Sequence, residues 1–299
     1  MREERDVLLS DKTTLKLGGA ARRFVYAESA EEIARVVGEA DSSGVPVLVL
    51  GGGSNLVVGD DGFDGVVVTC AFDRIAVTRA ERGVRITVDA GMNWDAFVAR
   101  AVAEKWRGLE CLSGIPGSVG ATPMQNVGAY GQEVSDTIVR VRGYDRVDRK
   151  HTDFSRAECA FAYRTSRFRN DTRFVITEVE FELEESPLGA PLLYDELARA
   201  LGVSRGAQYI LERVREKVIE LRRGKGMVLD ANDPESVSAG SFFTNPIVKD
   251  DVVARVAKVA GADPPAFPAG EGKKKLAAAW LIERAGFKKG EPAGAVGIS

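Results

Sequence analysis

An α/β (α+β) fold with more than one domain is predicted, on three observations. Helical apolar spacing and short β-type runs follow one another along the chain. Glycine-dense turns join strand-like segments without opening a helix. The composition changes after the segment Ser186-Pro-Leu-Gly-Ala-Pro191, which puts a domain boundary near residue 203. At 299 residues the chain is long enough for two or three cores.

Taken in order, Ser29 followed by Glu32 has the form of a capping box, Ile33, Val36, Val37 and Ala40 fall at helical spacing, and Gly44 ends that helix. Val45-Pro-Val-Leu-Val-Leu50 is a short apolar β-type run leading into Gly51-Gly-Gly-Ser-Asn55, and Gly65-Val-Val-Val-Thr69 is again strand-like. A glycine loop between two strands is not the dinucleotide-binding arrangement, in which the loop opens a helix. Val84, Ile86 and Val88 alternate with polar residues. Asn93 caps a helix with the stripe Trp94, Phe97, Val98, Ala101 and Val102, which Gly108 is expected to end. Val179, Phe181 and Leu183 alternate with Glu178, Glu180 and Glu182, so one face of that strand should be wet. A long amphipathic helix carries Ile210, Leu211, Val214, Val218 and Leu221 and stops at Gly224-Lys-Gly226. Two more helices follow, around Val252 to Val259 and around Leu276, Ala279 and Trp280, the second ended by Gly286. Ala295-Val-Gly-Ile-Ser299 has the form of the first residues of a strand.

Composition excludes several function classes. Lysine plus arginine number 41 against 44 aspartates and glutamates, a formal net charge of −3, which argues against a general nucleic-acid binder. His151 is the only histidine, so a site of several histidine ligands is impossible and a Ser-His nucleophile could be built only around that residue. Cys70, Cys111 and Cys159 lie far apart with no Cys-x-x-Cys, so no metal is expected and a reduced cytoplasm is the expected compartment. The start of the chain lacks the apolar stretch of a signal peptide, and no apolar run is long enough to span a bilayer, so no membrane partner is expected.

The chemistry points to the glycine turns. Residues 51–55 and 114–121 let backbone amides approach an anion closely, because glycine has no Cβ to hold it off. That suits a pyrophosphate in a chain with no basic excess. Taken singly, such a loop is more often only a tight turn. The spacing Gly114-x-x-Gly117-x-x-Gly120 is neither the dinucleotide fingerprint nor a Walker loop, and Gly224-Lys225 is followed by Gly226 where a Walker loop needs Ser or Thr.

Leu50-Gly-Gly-Gly-Ser-Asn-Leu56, Gly114-Ile-Pro-Gly-Ser-Val-Gly-Ala121, Gln125-Asn-Val-Gly-Ala-Tyr-Gly131, Tyr163-Arg-Thr-Ser-Arg-Phe168 and Ala239-Gly-Ser-Phe-Phe-Thr-Asn-Pro246 occur in this order. Together they resemble the UDP-N-acetylenolpyruvoylglucosamine reductases (MurB), over about Leu15 to Ser299. The resemblance implies the two-lobed FAD-binding fold of the PCMH/vanillyl-alcohol-oxidase (VAO) type, residues 1–72 and 73–203, and a C-terminal α/β substrate domain, residues 204–299. It implies a cytoplasmic flavoenzyme of peptidoglycan synthesis, and so of cell-wall biogenesis, cell shape and division. In such an enzyme NADPH reduces non-covalently held FAD, which then reduces UDP-N-acetylglucosamine enolpyruvate to UDP-N-acetylmuramate in the same pocket. The chain is expected to act as a monomer.

By the same resemblance, Gly51, Gly52, Gly53, Ser54, Asn55, Gly114, Ile115, Pro116, Gly117, Ser118, Gly120 and Ala121 hold FAD. Arg164 holds and polarises the substrate carboxylate, and Ser241 gives the proton. Hydride arriving at the terminal vinyl carbon leaves negative charge on the adjacent carbon and its carboxylate, so a fixed cation and a proton donor suit that chemistry. Considered alone, an arginine at a strand end is usually a solvated charge, and a serine in Gly-Ser-Phe-Phe is usually a turn hydroxyl. Tyr163, Tyr194, Lys225, Asn245 and Lys275 correspond to the UDP-sugar side, with Tyr194 on a lid loop over the diphosphate. The family commonly has lysine after the second Phe of Gly-Ser-Phe-Phe; here Thr244 stands there, so Lys225 or Lys275 is expected to neutralise the diphosphate.

The family normally continues beyond Ala295–Ser299 into a helix and a strand bearing a further catalytic glutamate. Neither is in this sequence, so the substrate domain is expected to be incomplete at its C-terminus. A FAD- or UDP-sugar-binding protein without catalysis is therefore the alternative, ahead of a covalent flavin oxidase or of a hydrolase using Ser241 and His151.

Overall fold

β1 (Arg2–Leu8) pairs antiparallel with β2 (Ala20–Ala27), and β1 does not stand out in the apolar pattern because it is a charged edge. α1 (Ala30–Ser42) starts at Ser29, whose hydroxyl accepts from the Glu32 amide at 3.2 Å, while the Glu32 carboxylate reaches back one residue further than a capping box to the Glu28 amide at 2.7 Å. It buries Ile33, Val36, Val37 and Ala40, and Gly44 follows at φ +66°. β3 (Val47–Val49) and β2 both lie parallel to β4 (Phe63–Cys70), giving the order β1-β2-β4-β3. The glycine loop thus joins two parallel neighbours without a helix.

In this computed structural model, which describes residues 1–81, 83–291 and 296–298, two compact units are distinguished, Met1–Ala239 and Gly240–Ser299. The first unit continues with β5 (Ile75–Ala80), β6 (Gly83–Asp89), α2 (Trp94–Ala103) and β7 (Trp106–Arg107). The short pair β8 (Gly128–Ala129) and β9 (Gln132–Glu133) comes next, then β10 (Ile138–Asp145), β11 (Lys150–Ser155) and β12 (Phe174–Glu185). An antiparallel sheet runs β11-β10-β12-β6-β5, with β7 on the end of β12. The Asn93 side chain accepts from the Ala96 amide at 2.9 Å, and all five stripe residues of α2 are buried. Phe97 meets Phe181 at 5.1 Å between ring centroids, and each such fully buried side chain contributes roughly 1.5–3 kcal/mol. Tyr144 and Val175 of this sheet also enter the core beneath α1, so the two lobes share apolar contacts.

Three local expectations need correction. α2 ends at Ala103, with Lys105 at φ +62°; Gly108 lies beyond β7 and does not stop the helix. The acidic face of β12 is not wet throughout: Glu180 is buried because Arg140 and Arg85 cover its carboxylate, at 2.5 and 3.3 Å. Leu276 ends a strand and does not begin a helix.

α3 (Asp195–Ala200) and α4 (Leu211–Arg223) complete the first unit. Val214 and Val218 of α4 pack on Cys111, Leu192 and Leu197. The first unit runs to Ala239. Among its described residues the second unit holds β13 (Ile247–Lys249), α5 (Asp250–Ala260), β14 (Ala266–Pro268), β15 (Lys273–Leu276) and α6 (Ala278–Arg284). Its antiparallel sheet is ordered β13-β15-β14. Of the expected strand start at residues 295–299, Ala295 and Ser299 lie outside the described residues.

Candidate functional site

The two glycine loops meet. Gly52 approaches Gly117 so closely that a Cβ on Gly52 would lie 2.6 Å from the Gly117 Cα, and one on Gly51 would lie 2.9 Å from the Ser118 hydroxyl. Ser54 donates to the Pro116 carbonyl at 3.5 Å, and the Thr14 amide donates to the Gly53 carbonyl at 3.0 Å. The second loop is fixed from behind: the Trp94 amide donates to the Gly117 carbonyl at 3.1 Å, and the Val119 and Gly120 amides donate to Met92 and Ala90. Among the described residues, none of the backbone amides from Gly51 to Asn55 donates to a protein acceptor, nor do those of Ile115, Gly117 and Ser118. Eight amides in two touching loops are thus not spent on protein acceptors, which leaves them available to an anion such as a diphosphate.

Beside these loops lies a cavity of about 260 Å³. Of the residues expected at FAD, Gly51, Gly52, Gly117, Ser118, Gly120 and Ala121 line it; Gly53, Ser54, Asn55, Gly114, Ile115 and Pro116 do not, and sit elsewhere on the same loops. Sequence patterns gave no reason to choose Thr69, Cys70, Met124 or Phe174, which also line it, since each comes from a strand end or turn distant in the chain. The Cys70 thiol is pushed up to about 12, first by burial and then by Asp89, so it is no nucleophile at neutral pH. Cys111, the cysteine nearest the second loop in sequence, is instead buried under α4, and His151 lies on β11 against Tyr144. The mostly apolar, amide-edged cavity fits FAD.

Arg164 lies not at a strand end but in the turn of the bridge between Ala162 and Thr165, at φ +52°. Its guanidinium donates to the Asn126 carbonyl at 3.3 Å and to the Gly128 carbonyl at 2.5 Å, lies 3.8 Å from the Glu133 carboxylate, and stands 5.2 Å from the Tyr163 ring centre. Asn126 and Tyr130 are also left-handed, both at φ +47°. Each such non-glycine residue costs on the order of 1–2 kcal/mol, and such strain gathers at functional sites. Asn126 is held by its side chain, which donates to Glu133 at 2.7 Å and to the Ala162 carbonyl at 3.1 Å and accepts from the Ser135 amide at 3.1 Å.

Tyr194 and Lys225, 31 residues apart in sequence, are brought together through Tyr130, a member of the glycine-rich motif to which no role had been given. The Tyr130 and Tyr194 rings meet edge to face at 5.6 Å, and the Lys225 ammonium sits 5.7 Å from the Tyr130 ring centre. Among the described residues neither tyrosine hydroxyl has a protein hydrogen-bond partner. Lys225 pairs with Glu196 at 2.7 Å; burial alone would pull its pKa down, but the carboxylate and its neighbours outweigh burial and raise it. Tyr130 is raised as well, chiefly by burial.

In the second unit, Ser241 is exposed and follows Gly240 at φ +63°. Asn245 accepts from the Ala278 amide at 2.9 Å, so its side-chain oxygen caps α6. Lys275 lies on β15 opposite Ile247.

Residues 21–149 match the model of an FAD binding domain, and residues 233–299 match that of the C-terminal domain of UDP-N-acetylenolpyruvoylglucosamine reductase. The UDP-N-acetylenolpyruvoylglucosamine reductase of Thermobifida fusca (strain YX) is 55% identical over 302 residues, covering 99% of this chain and 85% of that one. This chain belongs to the UDP-N-acetylenolpyruvoylglucosamine reductases. The enzyme of that name from Streptomyces coelicolor is 51% identical, over 100% of this chain and 79% of its own. Among solved structures, the UDP-N-acetylenolpyruvylglucosamine reductase (MurB) of Thermus caldophilus is similar with a TM-score of 0.59 at 27% identity, over 95% of this chain and 93% of that one. Cholesterol oxidase from Brevibacterium sterolicum is similar in fold alone, with a TM-score of 0.50 at 12% identity over 62% of this chain and 38% of its own.

Proposed function

We propose that this reductase converts UDP-N-acetylglucosamine enolpyruvate to UDP-N-acetylmuramate for peptidoglycan synthesis, with FAD held non-covalently and NADPH as the donor. The observation that carries the proposal is the pair of touching glycine loops with eight unspent amides beside an apolar cavity. FAD held there would supply the hydride-transfer chemistry that links NADPH to the vinyl carbon.

The chain's own residues supply the rest. Amides of both loops hold the FAD diphosphate. Arg164 receives the enolpyruvyl carboxylate and stabilises the charge that develops on it, because a guanidinium remains charged and its planar fork matches two oxygens. Two of its five N–H groups are spent on the Asn126 and Gly128 carbonyls, which hold the fork in place without neutralising it. Ser241 delivers a proton to the carbon next to the carboxylate, a site basic enough to take one from a hydroxyl. Tyr194 and Lys225 hold the diphosphate of the UDP-sugar, with Asn245 and Lys275 on the same ligand and Tyr163 beside Arg164. We place the reaction in the cytoplasm, performed by a monomer.

Anaerobic mixing tests this. NADPH should bleach the flavin absorbance, and the enolpyruvyl UDP-sugar should then restore it. Protein that binds no FAD would overturn the proposal. Bleaching that the UDP-sugar does not reverse would leave only a flavin- and nucleotide-binding protein.

A further inference from the structure

We infer that Glu110 is a positioning residue for the substrate diphosphate: its buried carboxylate fastens together the two segments that carry Tyr130 and Tyr194. The inference rests on the proposed role of Tyr194 and Lys225 at the diphosphate and extends it to a residue remote from any ligand. Glu110 opens a one-turn helix, Glu110–Leu112, just ahead of the second glycine loop, and is 1% exposed.

A buried carboxylate is costly unless donors surround it. Here one oxygen accepts from the Gly108 amide at 2.7 Å, and the other accepts from the Ala190 amide at 2.6 Å and from the Gln132 side chain at 3.0 Å. Gln132 returns the contact by accepting from the Cys111 amide at 2.8 Å. The donors belong to separate pieces of chain. Gln132 pairs with Ala129 across the turn whose tip is Tyr130-Gly131, and Ala190 lies four residues before Tyr194. Gly189 makes the approach possible, since a Cβ there would stand 3.0 Å from the Glu110 oxygen.

The two anchored segments then meet again at their far ends. A Cβ on Gly131 would lie 3.2 Å from the Leu193 Cβ, and the Tyr130 and Tyr194 rings touch edge to face. Tyr130 has a left-handed backbone at φ +47°, and Gln132 on Glu110 holds one side of its turn. Neither tyrosine hydroxyl is spent within the described protein, so the rings are fixed while their hydroxyls stay available to a ligand. An anchor behind the hydroxyls preorganises them for the ligand, so its loss is read in affinity.

Glu110→Gln keeps the size but turns one acceptor oxygen into a donor that faces another donor. The expected result in the FAD-loaded enzyme is a KM for the enolpyruvyl UDP-sugar raised by roughly tenfold or more, with kcat and FAD content held within about twofold. Adding Gln132→Glu restores a donor–acceptor pair between positions 110 and 132 and should recover part of the loss, which a generally weakened fold would not do. If Glu110→Gln yields no FAD-bearing protein, Gln132→Met removes the same link more gently and must show the same split. KM unchanged in the variant that folds, while Tyr194→Phe raises it, overturns the inference and leaves the diphosphate reading intact. KM unchanged in Tyr194→Phe and in Lys225→Met overturns that reading and the inference with it.

Discussion

Gly52→Ala is the substitution whose effect can be worked most directly from the geometry. The new methyl carbon would stand 2.6 Å from the Gly117 Cα and 3.2 Å from that residue's carbonyl carbon and amide nitrogen. Carbon atoms rest comfortably at about 3.5–4.0 Å, so one loop must move away from the other by roughly 1 Å. All three neighbours are backbone atoms, so no side chain can turn aside. Overpacking of this kind costs about 1–3 kcal/mol. The fold can escape the cost by letting the loops separate, in which case it falls on whatever binds across them. At about 1.4 kcal/mol per decade, FAD affinity should drop by roughly 5- to 150-fold. The assay is titration of apoprotein with FAD, followed by quenching of flavin fluorescence, with circular dichroism to confirm folding. Gly59→Ala is the control, because a Cβ at that position of the same connection meets nothing within 4 Å. Unchanged affinity in Gly52→Ala, or equal weakening in Gly59→Ala, would refute the claim that contact between the loops shapes the flavin site.

Three further outcomes are expected. Arg164→Lys keeps the charge but loses the planar fork and at least one of the two carbonyl anchors; reoxidation of reduced flavin by the UDP-sugar should slow by about 10²–10³, measured by stopped flow, and an unchanged rate would remove Arg164 from the carboxylate. Ser241→Ala should slow the same half-reaction by about 10²–10⁴ and spare flavin reduction by NADPH, whereas equal slowing of both halves would show that the hydroxyl is not the proton donor. Asp145, lowered to about 2 first by its hydrogen bonds from Arg173, contributes stability that is complete above the ordinary carboxyl value of 3.8 and is lost as pH falls towards 2. Asp145→Asn should therefore melt below the parent protein at neutral pH, with the gap narrowing from about pH 4 downwards; a gap independent of pH would contradict this.

What sequence could reveal divides along physical lines. Helices were legible where a cap, an apolar stripe and a stop agreed, as with Ser29, Ile33 to Ala40 and Gly44; where no cap was read, the start slipped, and Ile210, expected in the long helix, precedes its first residue Leu211. β1 was not, because an edge strand with charged residues on both faces has no alternation to read. Glu180 shows how charge misleads: burial beside two arginines cannot be told from exposure in a pattern of alternating glutamates. At the site, motifs pointed to both glycine loops, yet only half of the residues expected at FAD line the cavity, because loop membership does not say which way a turn faces. Tyr130 lay in plain view within a motif. Its partnership with Tyr194 and Lys225 depends on a left-handed backbone angle and on a fold that joins distant segments, and single-sequence patterns carry neither.

The charge arrangement explains how a chain with a net charge of −3 can serve several anionic ligands. The diphosphate loops carry no lysine or arginine; their attraction is that of unspent amides, which is short-ranged and cannot be screened away from a bound ligand as a surface charge can. Two of the cations proposed to meet the reacting or exchanging ligand have an acid beside them: Glu133 stands 3.8 Å from Arg164, and Glu196 stands 2.7 Å from Lys225. An arriving carboxylate or diphosphate must compete with that neighbour, so the net gain is smaller than for a bare cation and release is correspondingly easier. A pocket proposed to admit a nicotinamide nucleotide, discharge it and then admit a UDP-sugar gains more from ready exchange than from tight binding, whereas the amides proposed to hold FAD have no competing acceptor among the described residues.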